Sequence, residues 1–259
     1  MVAAMTTRTG IFGQFMQATA VLTRLPVAPR DDNRAPEEGA VAAASWAFPA
    51  VGAGVGGIAG GVLVLAALFG LGIGPAALLA LVAAGLVTGA LHEDGLADTA
   101  DGFGGGRDRD EKLAIMRDSR QGTYGILALI LSIGLRAAAL ITIGEPIEGA
   151  LALIAAHAAS RAMLPPAMLF LTPARGDGLG AMAGTPGRVS VLIAIAIGGF
   201  FALGLLGPVR GAVALVVASL AVAAAAMLAR RQIGGYTGDV LGAFQQIGEI
   251  VMLLVAAAR

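Results

Sequence analysis

The stretch VAAASWAFPAVGAGVGGIAGGVLVLAALFG, from Val41 to Gly70, contains no charged side chain. A helix that spans a bilayer needs about 20 mostly apolar residues, so this run is long enough to cross a membrane with a tilt or a break. Pro49 marks a place where its helix could break. The whole chain shares this character, since 57% of its 259 residues are hydrophobic and 13% are charged, whereas soluble domains carry about 25% charged residues. The composition therefore predicts an integral membrane protein.

Six further runs have the length and hydropathy of membrane spans. They run roughly from Pro75 to Leu91, Gly122 to Gly144, Gly149 to Leu171, Val189 to Leu206, Gly211 to Ala229 and Val240 to Ala258. We therefore predict an all-α polytopic helical bundle of about seven transmembrane helices, which forms a single membrane domain over residues 1–259. Within it, residues 1–40 would form an interfacial amphipathic helix, Ile11 to Leu22, and a linker.

The basic residues orient this bundle. With the N-terminus in the cytoplasm, thirteen of the seventeen Lys and Arg residues fall on cytoplasmic segments and two fall outside, as the positive-inside rule requires. The thirteen are Arg8, Arg24, Arg30, Arg34, Arg107, Arg109, Lys112, Arg117, Arg120, Arg175, Arg188, Arg230 and Arg231, and the two are Arg210 and Arg259. Because all four cytoplasmic segments then share one face, we expect them to converge on one site.

The composition also excludes several classes of function. The chain has no cysteine, which excludes disulfides, cysteine zinc sites and iron–sulfur clusters. Its two histidines are too few for a His-rich metal site. A formal net charge of zero argues against a nucleic-acid partner, which would need a basic excess. We see no short apolar core with a small-residue cleavage site near the N-terminus, so no cleaved signal peptide is expected.

The polar segment between the second and third predicted spans is strongly acidic. It reads HEDGLADTADGFGGGRDRDEKLAIMRDSRQGTYG from His92 to Gly125 and holds eight of the seventeen acidic residues. Asp94, Asp98 and Asp101 are spaced i, i+4, i+7, which places them on one stripe of a helix. Like charges repel, so this stripe indicates a bound divalent cation with oxygen ligands, of the kind that bridges to substrate phosphates. Residues 92–121 are thus predicted to be a cytoplasmic active-site loop.

A second short helix is predicted from Asp110 to Arg120. It would bring Lys112, Arg117 and Arg120 to phosphate oxygens, and Asp118 would add a fourth carboxylate ligand. Phosphoryl transfer needs carboxylates that bind a metal ion next to basic side chains that bind phosphate oxygens. This segment offers both. The alternative is a solvated loop whose charges only set the topology, and we favour it for the acids Asp108, Asp110 and Glu111.

The segment GGYTGD, from Gly234 to Asp239, comes directly before the last predicted span. Glycines and a hydroxyl at a helix N-terminus can form an anion or nucleotide cradle, because free backbone N–H groups point outward there. The alternative is a turn in which Thr237 or Asp239 simply caps the final helix.

Two arginines fall inside predicted spans. A mid-membrane Arg161 needs a buried partner or a polar cavity, and Glu249 is a candidate partner. Arg136 is nearer the outer boundary, where it could snorkel. Arg24 lies on the cytoplasmic side and could reach the site. In the first span, small residues repeat every four positions at Gly52, Gly56 and Gly60, which predicts close packing of helices.

Four motifs carry a family resemblance. They are LTRLPV at Leu22 to Val27, FPAVGAGVG at Phe48 to Gly56, the long acidic motif at His92 to Gly125, and GGYTGDVLGA at Gly234 to Ala243. In this order they cover nearly the whole chain. The chain resembles the cobalamin synthase family, the adenosylcobinamide-GDP ribazoletransferases of vitamin B12 assembly.

The resemblance implies a magnesium-dependent enzyme of the bacterial inner membrane, with its active site facing the cytoplasm. Such enzymes join α-ribazole, or its 5′-phosphate, to adenosylcobinamide-GDP and release GMP. Together with the residue pattern, this predicts Mg²⁺ ligation and catalysis by Asp94, Asp98, Asp101 and Asp118. The predicted substrate-binding residues are Arg24, Lys112, Arg117, Arg120, Arg161, Thr237 and Asp239. The lipid bilayer is the other expected partner, and the sequence is compatible with an oligomer.

Two other functions remain open from the residues. The run Asp98-Thr-Ala-Asp101-Gly102 also resembles the DxxDG core of CDP-alcohol phosphotransferases, and an aspartate-rich prenyltransferase would use similar chemistry. A cation-coupled transporter is the second alternative. A transporter would place its carboxylates near the bilayer midplane, whereas these are predicted to lie at one edge.

Overall fold

The structure is a computed structural model that describes residues 10–27 and 39–258. In these ranges the regular secondary structure is helical, with one isolated bridge between Pro173 and Tyr236 and no β-strand. The helices are α1 (Ile11–Leu22), α2 (Ala40–Ala44), α3 (Phe48–Leu68), α4 (Ile73–Thr88), α5 (Leu91–Gly105), α6 (Arg109–Ile115), α7 (Thr123–Ile143), α8 (Pro146–Ala162), α9 (Leu164–Phe170), α10 (Gly178–Met182), α11 (Arg188–Leu206), α12 (Pro208–Ile233) and α13 (Gly238–Ala257). A 3₁₀ turn at Ser45–Ala47 joins α2 to α3.

Six helical stretches in the described part of the chain are long and apolar enough to cross a membrane. They are Ala40–Leu68, Thr123–Ile143, Pro146–Phe170, Arg188–Leu206, Pro208–Ile233 and Gly238–Ala257. A seventh is counted if α4 and α5, which are bent by 90° at their junction, are taken together. The predicted polytopic helical membrane fold is confirmed, with six to seven spans.

The bend between α4 and α5 turns the acidic helix away from the direction of α4. It is made by Gly89 (φ 64°) and Ala90 (φ 54°), both in the left-handed region, where a non-glycine residue costs roughly 1–2 kcal/mol. The Arg24 side chain packs directly on Gly89, and the Arg24 backbone N–H donates to Val87 O at 2.7 Å. Arg24 therefore supports the bend that positions α5.

The glycine stripe of α3 packs against α8, as its spacing predicts. A Cβ added to Gly56 would lie 2.6 Å from Leu153 O, and one added to Gly60 would lie 2.8 Å from the Ala150 Cβ. Gly52 faces the backbone of His157 in the same way. Small residues at these positions let the two helix backbones approach closely.

We expect Gly56→Val to lower the stability of the detergent-solubilised protein by about 1–3 kcal/mol, because an added side chain would overpack this contact. Gly57→Val is a matched control on the same helix, since nothing lies within 4 Å of a Cβ at Gly57. Thermal unfolding of both variants checks the prediction. Equal midpoints for the two would contradict it.

The polar segments meet at one end of the bundle, which we call the site end, where α4, α9 and α12 finish and α3, α7, α11 and α13 begin. Arg109 Nε donates to Ile233 O at 3.1 Å, which joins α6 to the end of α12. Ala42 N–H donates to Ala183 O at 2.8 Å, which joins α2 to the segment after α10. The predicted convergence of these segments is therefore present. The linker positions Arg30 and Arg34 lie outside the described residues.

The N-terminal helix has the bounds that the sequence predicts. Ile11 and Phe12 are largely exposed on α1, as expected for a helix with an apolar face toward lipid. Trp46 Nε1 donates to Gln14 Oε1 at 2.7 Å, which attaches α1 to the 3₁₀ turn that precedes α3.

Candidate functional site

A cavity of about 250 Å³ lies at the site end, and we call it the acid cavity. Asp94 of α5 and Asp239 at the start of α13 both line it, together with His92 and Arg175. The rest of its lining is mostly apolar and includes Leu22, Val41, Phe48, Leu164 and Met168. The acid cavity therefore offers charged groups on one side and an apolar surface on the other.

Gly95 allows the two acidic helix segments to meet. A Cβ at Gly95 would lie 2.6 Å from Asp239 O and 3.0 Å from Asp239 Cα, so only glycine permits this approach of α5 to α13. The approach brings Asp239 to the same cavity as Asp94, although the two residues are far apart in the sequence. Asp94 of α5 and Asp239 of α13 therefore form an acidic pair between two helices, whereas the sequence predicts a stripe of acids on α5 alone.

Asp98 lies one helical turn after Asp94. Burial, followed by the nearby carboxylates of Asp94 and Asp239, raises the pKa of Asp98 to about 6. Three carboxylates thus repel one another at this point. A bound cation would relieve this repulsion.

Asp101 is not directed toward the acid cavity. It is 6% exposed, and its two oxygens accept hydrogen bonds from the backbone N–H groups of Gly122 at 2.7 Å and Gly125 at 2.8 Å. These groups are free donors at the start of α7, where a carboxylate is favoured. The interpretation of Asp101 as an aligned third ligand is corrected: the structure uses it as a helix cap, about 10 Å along α5 from Asp94.

Asp118 is also separated from the other acids. The predicted helix from Asp110 to Arg120 is shorter than expected, since α6 ends at Ile115, and Asp118 lies in the loop that follows. It binds Arg120 Nη2 at 2.6 Å, and hydrogen bonds from Arg120 lower the pKa of Asp118 to about 2. Within residues 10–27 and 39–258, no group of three or more His, Cys, Asp or Glu side chains is arranged to hold a metal. The predicted four-carboxylate set is therefore not assembled.

Arg117 and Arg175 form a chain of charges that leads to the acid cavity. Arg117 Nη2 donates to both oxygens of Asp177, at 2.6 and 2.7 Å. Arg175 lies 3.8 Å from Asp177 and 3.5 Å from Asp239. Its buried Nη1 has no hydrogen-bond partner in the described part of the protein, which leaves a donor for an anionic group.

Arg175 and Asp177 are site residues that the sequence analysis missed. In the sequence, both residues lie in a short charged segment between the fourth and fifth predicted spans. We used that segment only to assign the topology. Asp239, which was assigned to substrate binding, is the missed carboxylate partner of Asp94.

Lys112 and Arg120 do not line the acid cavity. Lys112 is buried, and its Nζ donates to Arg107 O at 3.4 Å, so it holds the turn between α5 and α6. Arg120 is exposed and paired with Asp118. Arg109 instead reaches across the site end, to the backbone of Ile233 and Ala174.

Thr237 caps the last helix. Its Oγ1 accepts from the Val240 N–H at 3.3 Å and donates to Asp239 Oδ2 at 3.1 Å, and the residue is fully buried. The turn-and-cap alternative is therefore the arrangement observed, and the cap orients the Asp239 carboxylate.

Arg161 lies inside the bundle and outside the lining of the acid cavity. Its Nη1 is 2.9 Å from His157 Nδ1. The expected partner, Glu249, is bonded instead to Arg136 at 3.0 Å and to His157 at 3.0 Å. Arg136 is completely enclosed, so the snorkelling interpretation is wrong.

Asp94 and Asp239 are the carboxylates of the acid cavity that could hold a divalent cation. Magnesium is usually held by one or two protein carboxylates and by substrate phosphate oxygens, not by a full cage of protein ligands. Asp94 and Asp239 supply such oxygens, and Asp98 lies beside them, where burial and then their negative charges raise its pKa. Arg175 supplies a cation at the same place.

The fold and this site define a polytopic helical membrane protein with an acidic site at one end of its bundle. Residues 14–257 match the model of the cobalamin-5-phosphate synthase family, and the chain belongs to that family.

Curated relatives agree over most of the chain. A protein named adenosylcobinamide-GDP ribazoletransferase from Bradyrhizobium diazoefficiens is 55% identical over 93% of this chain and 92% of its own length. A protein of the same name from Mesorhizobium japonicum is 50% identical, over 91% and 89%. One from Rhizobium etli is 44% identical, over 93% and 95%. No solved structure gives a significant match. The family resemblance is confirmed, and the alternative functions are not favoured.

Proposed function

We propose that this protein is an adenosylcobinamide-GDP ribazoletransferase that joins α-ribazole, or its 5′-phosphate, to adenosylcobinamide-GDP and releases GMP. The observation that carries the proposal is the acid cavity, which brings Asp94, Asp239 and Arg175 together at one end of a membrane bundle. Membership of the family and the names of three relatives support the same reaction. We place the protein in the bacterial inner membrane with the site end facing the cytoplasm, because most basic residues lie on segments at that end.

The reaction breaks the phosphoanhydride bond of the diphosphate and forms a new phosphate ester bond. A ribose hydroxyl oxygen of α-ribazole attacks the phosphorus attached to cobinamide, and the bond from that phosphorus to the GMP oxygen breaks. The hydroxyl proton passes to a carboxylate, and GMP leaves with the bridging oxygen. Enzymes of this kind act mainly by positioning the groups and neutralising charge.

The residues of the acid cavity fit these tasks. Asp94 and Asp239 would hold Mg²⁺, which when bound would neutralise charge on the diphosphate and on the departing GMP. The nearby carboxylate of Asp98 adds negative charge beside them. Arg175 would donate from its unpaired Nη1 to a phosphate oxygen. Arg117 acts at a distance, since its bond to Asp177 keeps that carboxylate beside Arg175.

Incubation of the purified protein with adenosylcobinamide-GDP, α-ribazole and Mg²⁺ tests this function. We expect stoichiometric formation of GMP and of the joined corrinoid, and no GMP after chelation of divalent cations. A parallel reaction with a CDP-alcohol substrate tests the alternative that the protein is a CDP-alcohol phosphotransferase. Turnover of that substrate without turnover of adenosylcobinamide-GDP would contradict the proposal.

The pH dependence of GMP release provides a further prediction. The pKa of Asp98 is raised to about 6, so its carboxylate is charged above that pH and becomes protonated below it. Because protonation of Asp98 removes a negative charge beside the carboxylates that would hold the cation, the rate at limiting Mg²⁺ should fall as the pH is lowered through about 6. Asp118→Asn is the control and should keep the same midpoint, since the pKa of Asp118, about 2, lies far below this range. At limiting Mg²⁺, a rate that stays constant from neutral pH to about 5 would contradict the prediction.

A further inference from the structure

A buried arginine joins the two helices that form the acid cavity. Arg136 of α7 is 2% exposed, and its Nη1 lies 3.1 Å from Glu93 Oε1 and 3.0 Å from Glu249 Oε1. Glu93 belongs to α5, which carries Asp94 and Asp98, and Glu249 belongs to α13, which carries Asp239. One guanidinium therefore bridges the same two helices whose acids meet in the cavity.

Neighbouring polar groups hold this bridge in place. Gln246 Nε2 donates to Glu93 Oε1 at 3.2 Å, and Ser132 of α7 donates to Gln246 Oε1 at 2.9 Å. Gln245 Nε2 donates to Glu249 Oε2 at 2.6 Å. Because both carboxylates have further donors, the bridge is a specific arrangement and not a single loose contact.

The rotation of α5 about its own axis depends on such contacts. The helix leaves α4 through a 90° bend of two residues, so the chain connection alone does not fix that rotation. Two groups attach α5 to α7: Asp101, through the N–H groups of Gly122 and Gly125, and Glu93, through Arg136. These two attachment points are about 12 Å apart along α5. The side chains of Glu93 and Asp94 point about 100° apart around the helix. A contact that fixes the position of Glu93 therefore also fixes the direction of Asp94.

We propose that Arg136 is a positioning residue: by bridging Glu93 and Glu249, it fixes the rotation of α5 so that Asp94 faces Asp239 across the acid cavity. Arg136 does not line the cavity and contacts no reacting group. The inference rests on the proposed function only in its assignment of the cavity to phosphate chemistry. A purely structural ion pair is the competing explanation, and it predicts a change in stability without a change at the cavity.

The test uses a charge-balanced double variant, Arg136→Met with Glu93→Gln, which removes one charge of each sign. Glu249 keeps its bonds to His157 and Gln245 in this variant. The matched control is Arg210→Met with Glu148→Gln, which removes the same charges from a pocket at the opposite end of the bundle. Both proteins are purified in detergent, and Mn²⁺ binding is measured by electron paramagnetic resonance beside thermal unfolding and GMP release.

We expect the double variant to bind Mn²⁺ about tenfold or more weakly than the wild type, which is the usual effect of losing a residue that orients a metal ligand. GMP release should fall in parallel, and the control should match the wild type in both measurements. A folded double variant with wild-type Mn²⁺ affinity and a wild-type Mg²⁺ requirement would overturn the proposal.

Arg136→Lys keeps the experiment decisive if the double variant does not fold. It retains the buried charge but lacks the planar fork that reaches both carboxylates, so it should fold and bind Mn²⁺ at least about threefold more weakly. Wild-type affinity in this variant would overturn the proposal. Failure of the proposed function has a different signature, in which the wild type binds Mn²⁺ but releases no GMP while the variants still differ in affinity. A wild type that neither binds Mn²⁺ nor releases GMP would overturn both.

Discussion

Asp94→Asn and Asp239→Asn should each reduce GMP release by about a hundredfold or more while the protein remains folded. Each change removes a negative charge from the lining of the acid cavity without changing the shape of the side chain. Stabilisation by a metal ion contributes several kcal/mol to reactions of this class, and 1.36 kcal/mol corresponds to a factor of ten in rate. The measurement is the steady-state rate of GMP formation at saturating Mg²⁺.

Asp110→Asn is the matched control for these variants. Asp110 belongs to the same acidic segment, but its side chain is 89% exposed and its carboxylate pairs with Arg109. Its GMP release should stay within about twofold of the wild type, because exposed ion pairs contribute little. Equal losses in all three variants would show that the acidity of the whole segment matters and not the acid cavity. Wild-type rates for Asp94→Asn and Asp239→Asn would remove both from the site.

Asp101→Asn should act mainly on stability. The carboxylate accepts one N–H on each oxygen, from Gly122 and Gly125. An amide can accept with its oxygen only, so its NH₂ group would face a second donor and leave a buried N–H unpaired, at a cost of about 1–3 kcal/mol. GMP release should decline as well, because the start of α7 helps to hold α5. Thermal unfolding in detergent measures the main effect.

Asp108→Asn is the control for this prediction. Asp108 caps α6 by accepting from the Glu111 N–H at 2.9 Å, in an exposed position. Asparagine is about as good as aspartate at the N-cap, so this variant should unfold at the wild-type temperature. If Asp101→Asn left the unfolding midpoint unchanged and abolished only Mn²⁺ binding, the earlier interpretation of Asp101 as a metal ligand would be right and the capping role would be wrong.

The helices and their membrane character were predictable because both depend on local patterns. Long uncharged runs identify the spans by length alone, as Val41 to Gly70 shows, and the spacing of Gly52, Gly56 and Gly60 predicts a close helix contact, although it does not identify α8 as the partner. The bend at Gly89 and Ala90 was not predicted. It depends on Arg24, which packs there from a distant part of the chain.

The site was predictable only in part, because periodicity places residues on one helix but does not identify their partners. Their spacing singled out Asp94, which lines the acid cavity, and Asp98, which lies close to Asp94 and Asp239. Asp101 shares their stripe but meets the start of α7, a contact that depends on how helices pack. Asp239 and Arg175 reach the acid cavity from segments that no local pattern connects to α5. The partners of buried charges are equally hard to predict, because Arg136 pairs with Glu93 and Glu249, which lie on two other helices.

The central claim is that phosphate chemistry takes place in the acid cavity between α5 and the start of α13. A crystal structure of the protein with adenosylcobinamide-GDP and Mn²⁺ tests it most directly, because anomalous scattering locates the ion. We predict the ion beside Asp94 and Asp239, with the diphosphate within hydrogen-bond distance of Arg175. An ion and diphosphate bound at the Asp118–Arg120 loop, with the acid cavity empty of both, would contradict the account.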